Sequence, residues 1–323
     1  MAAIYVFDEE IRRKTMLRLT SVVSLVLLVL GMVFAGNILS FSEKVSYQNN
    51  IVYAKSSPYQ RVVLTRKGEQ TRLFLNGNLQ FDSRDEYRYH EALVHPGLAA
   101  QNNPENILVL GGGDGLAVRE ILRYPSIKNV DLVDLDPLVT QIFKERNSLT
   151  ALNQNALNQV KVTVHNADAF TWLRSNQKSY DFVVVDFPDP VNFSVGKLYT
   201  LRFYQELKKA IAPTGGMVVQ STSPYVAPKS FWCVEQTLRE TGLRTVPYHA
   251  YVPSFGEWGF ILAHPHTWLP PTHYPDSLKF VDEMTVRQMV HFPTDMVARN
   301  LETNRLNNQA LVGYFDQEWS KYE

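Results

Sequence analysis

Cysteine is almost missing from this chain of 323 residues, where Cys233 stands alone. One thiol closes no intrachain disulfide and cannot build a Cys-rich metal site, so a disulfide-stapled extracellular module is excluded. Net charge is missing as well. Lys+Arg and Asp+Glu number 32 each, which leaves no overall basic field, and no nucleic-acid partner is expected. The composition of a disordered chain is also absent, with 45% hydrophobic and 20% charged residues. No internal repeat or low-complexity segment occurs. No G-x-x-x-x-G-K-[ST] occurs either, which excludes a P-loop.

What the sequence does contain begins with one long apolar run. From Leu19 to Leu39 no residue is charged. About 20 apolar residues span a bilayer as a helix, so a transmembrane helix is expected here. A signal peptide is the main rival, with Val33-Phe34-Ala35 as a tolerable cleavage site. Its leader, carrying Asp8-Glu9-Glu10, is acidic and long for that purpose. Arg12, Arg13, Lys14 and Arg18 precede the run and only Lys44 follows closely, so the positive-inside rule places the bulk of the chain outside.

Residues 50–82 read as a small antiparallel unit of short β-rich segments, with Asn76-Gly77 as a hairpin turn. Residues 83–98 have helical spacing, and Ser83 with Glu86 has the form of a capping box. From Asn106 strands and helices alternate: NILVL, NVDLVDL, QVKVTVHN, YDFVVVDF and GGMVVQST are strands with helical segments between them. This pattern predicts a doubly wound, Rossmann-like α/β domain, closed by two late strands that form an antiparallel edge pair. The expected division is a leader and transmembrane helix at 1–40 and a small β domain with a linking helix at 41–98. The Rossmann-like domain follows at 99–265, and a helical or irregular tail at 266–323.

Gly111, Gly112, Gly113 and Gly115 directly follow the first strand of the alternating region, where a backbone turns tightly and approaches a ligand. The dinucleotide fingerprint G-x-G-x-x-G fails at Leu116. Asp134 ends the second strand, where a carboxylate accepts from both hydroxyls of a ribose. Asp131 reads as a solvated strand residue and Asp136 as a helix cap before Pro137. Asp168, after the third strand, is either an acceptor for an adenine amino group or another helix N-cap. Together these positions favour a nucleoside ligand.

The fourth strand ends VVVDFPDP, placing Asp186 and Asp189 near Asp114. Converging acids repel one another unless a cation enters or one takes a proton. A helix cap at Asp186 and a turn at Asp189-Pro190 remain the plainer alternatives. An acidic cavity rejects the carboxylate of S-adenosylmethionine but accepts a nucleoside whose arm ends in an ammonium, or a diamine. A carboxylate can also take the proton an amine must lose before attack. The chemistry implied is alkyl transfer from a sulfonium to an amine.

GGGDG, the acid of VDLVDLDP, NADA, VVVDFPDP and YRYHE together resemble the spermidine synthase (polyamine aminopropyltransferase) family, from about Tyr47 to about His264. The likeness is to its membrane-anchored bacterial branch and implies a class I methyltransferase-type fold. It also implies transfer of the aminopropyl group of decarboxylated S-adenosylmethionine to putrescine or a related amine, giving spermidine and methylthioadenosine. On that resemblance Asp186 is the general base, Asp189 helps hold the polyamine, and Asp114 binds the aminopropyl amine. Gln60 contacts the methylthioadenosine part, and Tyr89 and His90 form the polyamine wall. Asp134 and Asp168 take ribose and adenine, with Ala169 beside the base. The residues alone make Tyr89 and His90 simply the inward face of a helix.

The chain departs from the family pattern in places. Asp134 stands where Glu is usual, and Phe187-Pro188 replaces a small polar segment. Tyr251 matches the family's late substrate tyrosine only in part, and Trp258 is either pocket wall or core. No metal and no tightly bound cofactor is expected, because the leaving group is already cationic at sulfur. Family members are often dimers, which makes a homodimer one expectation. The competing functions are an amine N-methyltransferase using intact S-adenosylmethionine and a non-catalytic polyamine- or nucleoside-binding membrane protein. Because the donor is a cytoplasmic metabolite, the domain is expected on the cytoplasmic face of the cell membrane, against the charge bias of a single helix.

Overall fold

The computed structural model of the chain describes residues 14–47 and 49–322. Asp8, Glu9, Glu10, Arg12 and Arg13, and the side chains of Lys14 and Lys44, lie outside the described residues. The first element is a helix, Lys14–Ser46. Within it Thr15–Gly36, 22 residues of hydropathy 2.4, is long and apolar enough to cross a membrane, and none of its most apolar stretch is buried. The foot of the helix is tied down. Arg61 grips the Glu43 carboxylate with two N–H donors, Nε to Oε1 at 2.7 Å and Nη2 to Oε2 at 2.8 Å.

Four strands follow as an antiparallel meander: β1 (Asn50–Ser56), β2 (Arg61–Lys67), β3 (Gln70–Leu75) and β4 (Asn78–Asp82). Asn76 and Gly77 join β3 to β4 with φ of 51° and 88°, the two left-handed residues that a tight hairpin turn demands. The capping box does not form. The next helix, Glu86–Leu98, begins after Asp85, and the Ser83 hydroxyl instead accepts from the Thr71 amide at 2.9 Å. Glu86 is drawn away by stronger partners. Its carboxylate accepts two hydrogen bonds from Arg119, each 2.9 Å, and one from His90 Nδ1 at 2.9 Å.

The remaining strands form one mixed sheet of seven: β5 (Asn106–Gly111), β6 (Asn129–Asp134), β7 (Val162–Asn166), β8 (Tyr180–Asp186), β9 (Ile211–Gln220), β10 (Arg244–Val252) and β11 (Gly256–His264). Their order is β10-β11-β9-β8-β5-β6-β7, with β5 to β9 parallel and the last two strands antiparallel. The chain winds outward from β5 to β7 and then returns to β8 on the other side of β5. That reversal opens a crevice at the carboxyl ends of β5 and β8. Helices cover both faces, so alternate residues of one strand feed two separate cores. Ile107, Val109 and Val184 enter one, and Leu108, Leu110 and Val185 the other. This is why the strands read as unbroken apolar runs.

Asp131 is not solvated. It is buried in β6 and accepts from Lys178 Nζ at 2.7 Å, His165 Nε2 at 2.8 Å and Tyr180 OH at 3.0 Å. Residues far apart in sequence supply those partners, and three donors offset the cost of burying its charge.

After β11 the chain packs back against the sheet domain. The buried Glu91 carboxylate accepts the amides of Lys279, Phe280 and Val281 at 2.9, 2.8 and 3.0 Å. Glu318, in the last helix Ala310–Trp319, caps helix Pro228–Arg239 by accepting from the amides of Lys229 and Ser230 at 2.9 and 3.0 Å. Cys233 is buried on that capped helix, with Sγ 3.2 Å from the Glu302 carbonyl, and burial pushes its thiol up to about 12.

Arg119 joins a second acid beneath the sheet crevice, Nε to Glu120 Oε1 at 2.8 Å, and Glu120 also meets His95 at 3.1 Å. Burial would raise Glu120, but the bonds from His95 and Arg119 hold it at about 2. Removing one partner of a buried ionic network strands the others without water, so Arg119→Met is expected to cost about 3–5 kcal/mol. Urea unfolding of the variant measures this, and parental stability would show that the network contributes nothing.

Candidate active site

The crevice is shaped first by its glycines. Gly111 has φ +81°, and a Cβ there would sit 2.2 Å from the Asp186 carbonyl oxygen. Gly111 and Asp186 are register partners across β5 and β8, so the glycine turn and the end of β8 meet directly. At Gly113 a Cβ would lie 2.7 Å from the Asp134 carboxyl carbon. The Gly113 amide donates to Asp134 Oδ2 at 3.0 Å and the Asp136 amide to Oδ1 at 2.8 Å. Burial raises Asp134 to about 6 against these two bonds.

Asp114 and Asp186 face the same space. Tyr89 donates its hydroxyl to Asp186 Oδ1 at 2.5 Å. Burial pushes Asp186 up to about 6; the neighbouring His90 pulls it back, and the charge of Asp114 adds to the rise. Burial likewise raises Asp114, again opposed by His90. His90 places Nδ1 against two acceptors, the Glu86 carbonyl at 2.8 Å and the Glu86 carboxylate at 2.9 Å. Nδ1 must therefore carry a hydrogen, and only Nε2 remains for a ligand. Burial disfavours charge on His90, but Glu86, Asp114 and Asp186 outweigh it and raise its pKa. Tyr89 also packs against Phe255 and Phe260, with ring centroids 6.1 and 5.3 Å away, so one wall of this space is aromatic.

Asp189 stands one turn further along. Thr222 Oγ1 donates to it at 3.3 Å and Gln220 Nε2 approaches at 3.4 Å, while burial raises it to about 6. No arginine or lysine bonds Asp114, Asp186 or Asp189 among the described residues. Arg119, whose charge also acts on Asp114, is engaged by Glu86 and Glu120. Phe187 turns away from the acids into the core, 5.7 Å from Phe203 between ring centroids, and its carbonyl accepts from Gln220 at 2.6 Å.

The nucleoside-type positions are spread along the same edge. Gln60 Nε2 and Ser57 Oγ both donate to Asp136 Oδ2, at 2.9 and 2.7 Å, which ties the small sheet to the end of β6. Asp136 also caps its helix through the Leu138 amide at 3.0 Å. Asp168 is an N-cap, accepting from Thr171 at 2.9 Å, and its second oxygen meets Lys197 Nζ at 2.7 Å. Each oxygen keeps a further lone pair, so the cap does not preclude a nucleobase contact. Ala169 is buried in the first turn behind it. Tyr251 is not gathered with the acids: it lies exposed on edge strand β10, and its backbone carbonyl accepts from Arg88 Nε at 2.7 Å. Trp258 is buried and donates Nε1 to Gln220 Oε1 at 3.1 Å.

Gln220, Thr222, Tyr199 and Glu86 escape the sequence reading. Gln220 and Thr222 follow the same rule as the acids, since they sit at the carboxyl end of β9 beside β8. Thr222 adds a second mark, a β-branched residue held at φ 55°. Tyr199 carries no local signal, because its partners lie on other elements; Glu86 meets His90 one helical turn on, but its Arg119 partner lies on another helix.

A family model described as the spermine/spermidine synthase domain matches residues 86–269. Polyamine aminopropyltransferase 2 of Ralstonia nicotianae (strain ATCC BAA-1114 / GMI1000) is 53% identical over 294 residues, which are 90% of this chain and 58% of that protein. The polyamine aminopropyltransferase of Leptospira interrogans serogroup Icterohaemorrhagiae serovar copenhageni (strain Fiocruz L1-130) is 50% identical over 305 residues, 94% of this chain and 61% of that one. The chain thus spans less than two thirds of the length of these relatives. A spermidine synthase solved in complex with the transition-state analogue AdoDATO shares the fold, with a TM-score of 0.70 and 22% identity over 76% of this chain and 86% of that one. The spermidine synthase from Thermotoga maritima gives 0.68 and 21% over 76% and 85%.

Raised acids leave a trace in stability. Asp186 holds its proton to about 6 when folded, against an ordinary value of 3.8, so between these the folded state binds more protons than the unfolded one. Its contribution to stability therefore falls as pH rises through that window. Asp186→Asn, which cannot ionise but still accepts from Tyr89, is expected to match the parent near the lower bound and to melt higher above the upper one. Thermal melts across that range test this, and a difference that does not change with pH would show that Asp186 is unperturbed.

Proposed function

The chain belongs to the spermine/spermidine synthase family, and on that basis we propose that it transfers the aminopropyl group of decarboxylated S-adenosylmethionine to putrescine or a related amine. The observation that carries this reading is the state of Asp186 and Asp189: both sit at the crevice with raised pKa and with no lysine or arginine partner among the described residues. Such a site favours a cationic reactant, and both reactants of this transfer are cations.

In this proposal Asp134 holds the ribose at the glycine turn and Asp168 the adenine. Asp114 takes the ammonium of the propyl arm. Asp189, His90 and Tyr89 hold the diamine. Asp186 uses Oδ1 for Tyr89, which leaves Oδ2 to accept a proton from the attacking nitrogen. A carboxyl at about 6 is matched to that task near neutral pH. The nitrogen forms a bond to the carbon beside sulfur as the carbon–sulfur bond breaks. Sulfur loses its positive charge, methylthioadenosine leaves, and the released proton rests on Asp186. Much of the rate comes from holding two mutually repelling cations in line, which the acids offset.

Asp186→Asn is expected to lower turnover by about 10² or more while donor binding is kept. Product mass after offering both donors and a series of diamines measures it. A gain of one methyl in place of one aminopropyl would assign the chain to N-methyl transfer.

We further propose that the helix through Thr15–Gly36 anchors the enzyme in the cell membrane with the crevice on the cytoplasmic side. Its 22 residues would rise about 33 Å, the thickness of a bilayer core. A reporter fused after Glu323, active only in the cytoplasm, is expected to be active; an inactive fusion on a membrane-bound product would reverse the orientation.

A further inference from the structure

Asn304 links the tail to the support of the site. It is fully buried and makes four hydrogen bonds that join it to three segments. Its amide donates to Thr237 Oγ1 at 2.9 Å, and its side-chain oxygen accepts from the Leu311 amide at 3.3 Å. Its side-chain nitrogen donates to the Gly196 carbonyl at 3.2 Å, and its own carbonyl accepts from the Leu201 amide at 2.8 Å. The last two bonds grip both ends of one short stretch, 196–201. The tail also closes on that stretch sterically, since a Cβ on Gly196 would lie 2.5 Å from both Gln309 Oε1 and Val312 Cγ2.

The gripped stretch touches both halves of the crevice. Lys197 Nζ lies 2.7 Å from Asp168 Oδ2, on the nucleobase side. Tyr199 OH lies 3.2 and 3.1 Å from the carbonyls of Phe187 and Pro188, which link Asp186 to Asp189, and 3.0 Å from Gln220 Nε2. We infer that Asn304 is a positioning residue for the site: by pinning 196–201 it sets, through Lys197 and Tyr199, the placement of Asp168 on one side and of Asp189 on the other. This rests on the function proposed above. It places part of the site's support outside the matched family domain, in the tail.

The test uses the full chain and three variants. Asn304→Ala removes the grip at Gly196 and is expected to raise KM for both donor and amine about five- to tenfold, the worth of a buried hydrogen bond, with a smaller effect on kcat. Lys197→Met is expected to raise the donor KM more than the amine KM, and Tyr199→Phe the reverse. A purely structural role would lower the melting temperature without this split. A folded Asn304→Ala protein with both KM values unaltered would overturn the inference. If Asn304→Ala does not fold, the other two variants decide: the opposed split supports the inference, and its absence overturns it. Binding of methylthioadenosine and of spermidine to the parent is measured first, and failure to bind either sinks the proposed function rather than the grip. In that case amide exchange at 196–201 is read instead. Faster exchange in Asn304→Ala supports the grip, and equal exchange overturns it.

Discussion

Negative charge held without a lysine or arginine partner is the constraint around which this molecule is built. Asp114 and Asp186 meet at one crevice, with Asp189 a turn beyond, and burial raises all three. A fold pays for such a cluster by fixing everything around it. The parallel register sets Gly111 beside Asp186, Tyr89 donates to one oxygen of that acid, and the Glu86–Arg119 pair locks the hydrogen of His90. Arginine is present beneath the crevice, but two glutamates hold it there. The cluster thus stays short of cations, and an incoming ammonium would meet the least compensated charge in the crevice.

Much of this was legible because it is local or because topology makes it so. Buried parallel strands appear as continuous apolar runs, and Asn76-Gly77 announces its turn by backbone preference alone. An acid at the end of a strand in an alternating α/β pattern must emerge at the same edge as its neighbours. The strand pattern alone therefore assigns Asp114, Asp134, Asp168, Asp186 and Asp189 to one edge of the sheet. What could not be read depends on partners distant in sequence. Asp131 looks solvated until Lys178, His165 and Tyr180 are folded against it. Ser83 and Glu86 have the spacing of a capping box, but Arg119 competes for Glu86 and wins with two bonds. Tyr251 sits in a run whose alternation places it on the open side of an edge strand, and no spacing rule told which of its neighbours would face inward.

The tail shows the same dependence on distance. Its sequence reads only as helical or irregular. Yet Glu91 receives three consecutive amides from it, and Glu318 returns from the far end to cap a helix that lacks a side-chain cap of its own. Buried carboxylates satisfied by backbone N–H groups fasten the segment beside the apolar residues it buries, among them Val281, Val286, Leu311 and Phe315.

Cys233 lies at the joint between that capped helix and the tail, its sulfur against the Glu302 carbonyl. A thiol held near 12 is almost wholly protonated at neutral pH, and protein covers it on all sides. Alkylating agents and oxidants can therefore reach it only when the packing around it opens, whether at the tail or at the core it shares with Tyr204 and Leu207. The chain carries its own single-site clock for such opening: the rate at which the lone sulfur is labelled counts how often this part of the fold lets go.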